Sequence, residues 1–127
     1  MPARNILIVD DEKDICLLLG AFLKQRNYDV YYALNLHDAK TRLAETVPGL
    51  IFLDIHLPDG SGMELVPDIL RLYPDMKIVM MSAYDGDIDR EKAKVTGVHQ
   101  FIGKPLTQEK VDQALLTLKA DQSDLLA

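Results

Sequence analysis

Five short apolar runs rich in β-formers punctuate the chain, and each interval between them has helical length and spacing. The runs are N-I-L-I-V at 5–9, D-V-Y-Y-A at 29–33, L-I-F-L at 50–53, K-I-V-M-M at 77–81 and H-Q-F-I at 99–102. Helices are predicted near 12–26, 36–46, 62–73, 86–95 and 107–119. Asn35, Ser61 and Thr107 stand where N-caps belong, and Pro48-Gly49, Tyr73-Pro74 and Thr96-Gly97 close helices ahead of three of the strands. Strict alternation, with strands apolar enough to be buried on both faces, predicts a doubly wound α/β fold: five βα units, a parallel sheet and helices on each side.

The chain has 127 residues, enough for one domain that buries a core without disulfides or a structural metal. Twenty acidic residues against fourteen basic ones, a net charge of −6, oppose sequence-independent binding to nucleic acid or to an anionic membrane. Cys16 is the sole cysteine and has no internal partner; we expect it, like His37 and His99, at the surface or a strand end rather than as a ligand. The longest apolar run, I-C-L-L-L-G-A-F-L at 15–23, is about half a membrane span, and no signal-peptide core precedes the acidic residues at 10–12. A cytoplasmic protein is the expectation.

In an open parallel sheet the ligand crevice lies beyond the carboxyl ends of the strands. Strand one delivers Asp10 and Asp11 there, strand three Asp54, strand four Ser82 and strand five Lys104-Pro105. Asp54 alone, ahead of Pro58-Asp59-Gly60-Ser61-Gly62, would read as a turn residue. The company it keeps changes that reading. Clustered carboxylates take up protons or bind a cation, and hard oxygen donors with room for water suit Mg²⁺, with Mn²⁺ as the alternative. An ammonium (Lys104) and a small hydroxyl (Ser82) suit phosphate oxygens, so these are the parts of a phosphoryl-transfer site with a carboxylate nucleophile.

From I-L-I-V-D-D-E through I-F-L-D and M-S-A to F-I-G-K-P, the sequence resembles a bacterial two-component response-regulator receiver domain along essentially its whole length. The resemblance implies a flavodoxin-like (βα)5 fold with strand order 2-1-3-4-5, a receiver spanning 1–120 and a tail or linker start at 121–127. It implies Asp54 as acceptor of a phosphoryl group from the phospho-His of a sensor kinase or phosphotransfer protein. Asp11 and Asp54 would bind Mg²⁺ directly, Asp10 through water and His56 through its backbone carbonyl. Ser82 would hold the phosphoryl oxygen and move on activation, Lys104 would contact it from the other side across an expected cis peptide to Pro105, and Phe101 would be the aromatic switch. The output surface, and a homodimer contact, would be the helix four, strand five, helix five face. Such a domain promotes its own phosphorylation and dephosphorylation without being a conventional turnover enzyme.

Four positions qualify the carry-over. Ser82 stands where Thr is frequent, Phe101 lacks the hydroxyl of Tyr, and the bulky His56 and Tyr84 flank the acceptor, where they are expected to slow autodephosphorylation. In helix one, Ile15, Leu18, Leu19 and Phe22 form the expected core stripe, with a surplus of apolar side chains. The resemblance implies a docking patch for a phosphotransfer domain there and on the loop after strand five, at Ile15, Leu18, Pro105 and Leu106. Two rival readings are a Mg²⁺-dependent aspartyl-phosphate phosphohydrolase, whose D-x-D-x-T motif would follow the first strand, and an unphosphorylated binding module of the same fold. The first lacks its motif, and the second would be expected to have lost one of Asp10, Asp11, Asp54 or Lys104.

Overall fold

The computed structural model describes residues 4–83 and 87–126, with the side chains of all of these except 87–89 and 119–126. The elements follow in the predicted order: β1 (Asn5–Val9), α1 (Lys13–Lys24), β2 (Asp29–Ala33), α2 (Leu36–Thr46), β3 (Leu50–Asp54), α3 (Val66–Leu72), β4 (Lys77–Ser82), α4 (Asp87–Thr96), β5 (Gln100–Gly103) and α5 (Gln108–Leu126). The sheet is parallel throughout, in the order β2-β1-β3-β4-β5.

Period-two alternation sorts the strand side chains onto two faces. Leu7, Val9, Ile51, Leu53, Ile78 and Met80 pack against Ala39 and Leu43 of α2, Val66 and Ile69 of α3 and Ala93 of α4. Ile6, Ile8, Phe52, Val79 and Met81 pack against Leu19 and Leu23 of α1 and Val111 and Ala114 of α5. This is the doubly wound arrangement, and its strand order reverses between β1 and β3.

Local chemistry sets the helix starts. The side chain of Asn35 accepts from the N–H of Asp38 at 2.7 Å, and Thr107 Oγ1 accepts from the N–H of Lys110 at 3.1 Å. Ser61 caps a one-turn 3-10 helix, Gly62–Leu65, instead of α3 itself. The α-helix waits until Val66, because Pro67 is suited to the first turn, where its missing N–H is no loss. The Pro-Asp-Gly-Ser stretch predicted as a plain turn is a small hairpin, pairing His56–Leu57 with Gly60–Ser61.

Helix α1 departs from its expected stripe. Cys16, Leu19, Gly20 and Leu23 are buried, Ile15 and Phe22 flank them half-buried, and Leu18 is 41% exposed. Both sets fit the i, i+3, i+4, i+7 pattern, and an apolar run that covers most of the helix gives periodicity nothing with which to choose. Cys16 is accordingly a core residue, not a surface one. Gly20 lies where an added Cβ would come within 2.3 Å of the Tyr32 hydroxyl, which brings α1 close to β2. No helix among the described residues is long and apolar enough to cross a membrane.

Candidate functional site

Three strands carry buried apolar runs up to a polar residue: Asp10 just past β1, Asp54 at the end of β3 and Ser82 at the end of β4. These are the buried polar side chains among the described residues, and all three lie at the carboxyl rim of the sheet. The register brings them together. Val9 pairs with Leu53 and Asp54 with Met81, so Asp10 follows on one side of Asp54 and Ser82 on the other.

Lys104 closes the group from the loop after β5. Its backbone N–H donates to the carbonyl of Ser82 at 2.8 Å, and the Lys104–Pro105 peptide is cis. The ammonium lies 2.8 Å from Asp10 Oδ2, 3.3 Å from Asp54 Oδ2 and 3.7 Å from Glu12 Oε1. The contact with Asp54 is a hydrogen bond donated by Lys104, whereas that with Asp10 is a close ion pair without hydrogen-bond direction. Asp10 Oδ1 accepts from the N–H of Glu12 at 2.9 Å, and Asp54 Oδ1 accepts a longer bond from the N–H of His56 at 3.4 Å.

The electrostatics follow from that packing. Burial and then the neighbouring Asp10 charge push the Asp54 carboxyl up to about 6, with Lys104 and the His56 N–H pulling the other way. Burial pulls the Lys104 ammonium down, but its contacts with Asp10 and Asp54 outweigh burial and leave it raised. Behind the site, Cys16 Sγ donates to the carbonyl of Asp10 at 3.4 Å, and burial and Asp10 push its thiol up to about 11, an unreactive state.

The carboxylate oxygens of Asp10, Asp11 and Glu12 lie within 4.8 Å of one another. Asp54 stands beside this trio, joined to it through Lys104, whose ammonium contacts both Asp10 and Asp54. Glu12 was missed in the expected ligand set. Its signal was its place, directly after the acid pair in the loop that leads into α1. The donor set fits a hard divalent cation: oxygens only, two of the three residues exposed to water, and one buried oxygen, Asp10 Oδ2, with no directed hydrogen bond.

The residues expected for docking divide. Leu18 and Pro105 are exposed and Ile15 is half-buried. Leu106 is only 5% exposed and packs in the core with Val111 and Leu115, so it is not an accessible contact. Phe101 is half-buried on β5, with the Arg90 guanidinium 4.8 Å from its ring centre, and both line a cavity of about 610 Å³ between α4, β5 and α5. His99 sits at the entry to β5, where its Nδ1 accepts from the N–H of Ile78 at 3.0 Å, and His37 is exposed at the start of α2. Tyr84 lies outside the described residues.

A sheet of this order with acids after β1, an acid ending β3, a hydroxyl ending β4 and a lysine after β5 defines a class, and comparison with known proteins agrees. The model of the response regulator receiver domain matches residues 6–116. The chain belongs to this family, the receivers of two-component systems. Among solved structures it is similar to a two-component response regulator from Clostridium difficile, with 30% identity, 91% of this chain and 95% of that one covered, and a TM-score of 0.84. A CheY-like receiver domain protein from Methanospirillum hungatei JF-1 shares 26% identity over 97% of this chain and 98% of its own, with a TM-score of 0.84. A response regulator from Burkholderia pseudomallei, solved with a phosphorylated aspartic acid, a calcium ion and citrate, shares 26% identity over 96% and 73% of the two chains, with a TM-score of 0.82.

Proposed function

We propose that this receiver accepts a phosphoryl group on Asp54 from the phospho-His of a sensor kinase or histidine phosphotransfer protein. The observation that supports it most is the setting of Asp54: a carboxylate only 4% exposed at the end of a buried strand, with an ammonium 3.3 Å away and a trio of acidic side chains beside it. A similar protein, the Burkholderia regulator, carries a phosphorylated aspartic acid and a calcium ion.

In the proposed step an Asp54 carboxylate oxygen attacks phosphorus as the P–N bond breaks. The imidazole leaves with that electron pair and is neutral when its other nitrogen carries a proton. At neutral pH a carboxyl titrating at about 6 is mostly ionised, hence nucleophilic. Lys104, freed from Asp54 as that oxygen becomes esterified, is in reach of a phosphoryl oxygen, and Ser82 is the hydroxyl on the opposite flank. Asp10, Asp11 and Glu12, with Asp54 and the His56 carbonyl, are the groups that would hold Mg²⁺. When bound, the ion supplies positive charge to the transferred group's oxygens.

The consequence is a switch rather than turnover. Esterification changes the partners of Lys104 and Ser82, whose backbones are joined by a hydrogen bond and lie at the ends of β5 and β4. The α4-β5-α5 face, with Phe101 under Arg90, is the readout surface we assign, and a downstream protein, effector domain or second copy of the chain its partner.

Incubation with acetyl phosphate and Mg²⁺, followed by intact mass, tests the reading. The expected result is an acid-stable, base-labile gain of one phosphoryl group, absent in Asp54→Ala. No gain, or a gain that persists in Asp54→Ala, refutes it. Repeated hydrolysis of phosphate esters would point instead to a phosphohydrolase.

A further inference from the structure

Helix α5 begins with Thr107 as its cap and Gln108 as its first residue, which puts Lys110 in the first turn. A cation is poorly placed there, because the exposed N–H groups make that end of a helix positive. Lys110 has partners that account for it. Its Nζ donates to the carbonyl of Gly103 at 3.0 Å and to the carbonyl of Pro105 at 3.0 Å, the residues on either side of Lys104. The Lys104 backbone is held once more, by its N–H to the carbonyl of Ser82 at 2.8 Å.

We infer that Lys110 is a positioning residue for phosphoryl transfer: it clamps the β5-α5 loop so that the Lys104 ammonium stays between Asp10 and Asp54. The inference rests on the function proposed above only for its kinetic consequence. The clamp itself is a matter of geometry. Lys104 depends on it because its side chain must span from a connecting loop to carboxylates just past β1 and at the end of β3, and loops hold their place less firmly than strands. Glu109 and Gln113, the other polar α5 residues that line the cavity on this face, make no hydrogen bond to this loop among those described.

The test uses Lys110→Met, which keeps the aliphatic stem and removes the donors, and Lys110→Arg, which restores them. Acetylation of individual lysines, read by peptide mass spectrometry, reports Lys104 directly without any need for phosphorylation. In the wild type Lys104 should react slowly, its side chain being 9% exposed. Lys110→Met should raise its rate several-fold while leaving Lys77 unchanged, and Lys110→Arg should return it to the wild-type value. The initial rate of Asp54 phosphorylation by acetyl phosphate should fall about tenfold in Lys110→Met. In a Lys104→Ala background the same substitution should have no further effect, since Lys110 acts through Lys104. Unchanged Lys104 reactivity in Lys110→Met, or additive losses in the double variant, would overturn the clamp. A wild-type protein that takes no phosphoryl group while Lys104 is unmasked as expected would refute the proposed function and leave the clamp standing.

Discussion

The Lys104 ammonium and the Asp54 carboxylate, fifty positions apart in sequence, meet in a hydrogen bond of 3.3 Å at the rim of the sheet. Even so, the bond does not offset the burial of Asp54 beside Asp10, and the carboxyl titrates at about 6 against an ordinary 3.8. Below about pH 4 the folded and unfolded chains both carry the Asp54 proton, and its ionisation costs nothing. Between about 4 and 6 the unfolded chain ionises first, so stability falls as pH rises, and above about 6 the full penalty is present. Asp54→Asn should therefore be more stable than wild type by about 3 kcal/mol at pH 7 in metal-free buffer. Urea unfolding with chelator checks it: the gap should close as the pH is lowered toward about 4, and a gap that is flat with pH would contradict the assignment.

Mg²⁺ should relieve the crowding of Asp10, Asp11 and Glu12, whose carboxylate oxygens lie within 4.8 Å of one another. A ligand that binds only the folded state stabilises it by mass action, so the melting temperature should rise with Mg²⁺ and fall back on chelation. Asp11→Asn should abolish most of the rise. Glu12→Gln should weaken Mg²⁺ severalfold, since Glu12 lies at the exposed edge of the trio and is in contact with Lys104 at 3.7 Å. Thermal melts across a Mg²⁺ titration give both values, and an unchanged midpoint in Glu12→Gln would remove it from the site.

Gly62 packs so close to the end of β3 that there is no room for a side chain. A Cβ there would lie 2.0 Å from the backbone carbonyl oxygen of Asp54, while the Gly62 N–H donates to the carbonyl of Ile55 at 2.7 Å. Backbone cannot yield as a side chain can. Gly62→Ala should destabilise by about 2 kcal/mol and slow Asp54 phosphorylation. Gly20→Ala, whose closest clash is the mobile end of Tyr32, should cost less than half as much. Chemical denaturation of the two variants side by side gives the comparison.

Asp59 ties the loop after Asp54 to a helix distant in sequence. Its two oxygens accept from the N–H groups of Leu36 at 2.8 Å and His37 at 3.1 Å, the first turn of α2. The bond from Leu36 leads the causes that hold its carboxyl below the usual range. That contribution is present at neutral pH and is lost as pH falls through the lowered value. Asp59→Ala should lower the melting temperature by about 3 °C at pH 7, and the difference should shrink in acid. Scanning calorimetry at neutral and acidic pH is the measurement.

The alternation of apolar runs with helix-length segments was enough to predict the element order, the parallel sheet and the convergence of Asp10, Asp54, Ser82 and Lys104 at one rim. The reason is that side-chain periodicity and turn chemistry are local properties, and the handed crossovers of a parallel sheet leave few ways to connect such elements. Other features depend on what approaches from far along the chain. Whether Leu18 or Cys16 faces the core was undecidable in a helix apolar on most sides, and the packing of α1 against the sheet chose Cys16. Leu106, read as an accessible contact, is drawn under α5 beside Val111 and Leu115. Glu12 entered the acidic cluster because the loop after β1 turns it toward Lys104, and Asp59 became a cap for α2 across 23 residues. Residue types and their order thus determined which chemistry this chain can assemble. Only the tertiary structure decided which side chains stand close enough to share a charge or a hydrogen bond, because those energies fall away within a few ångströms.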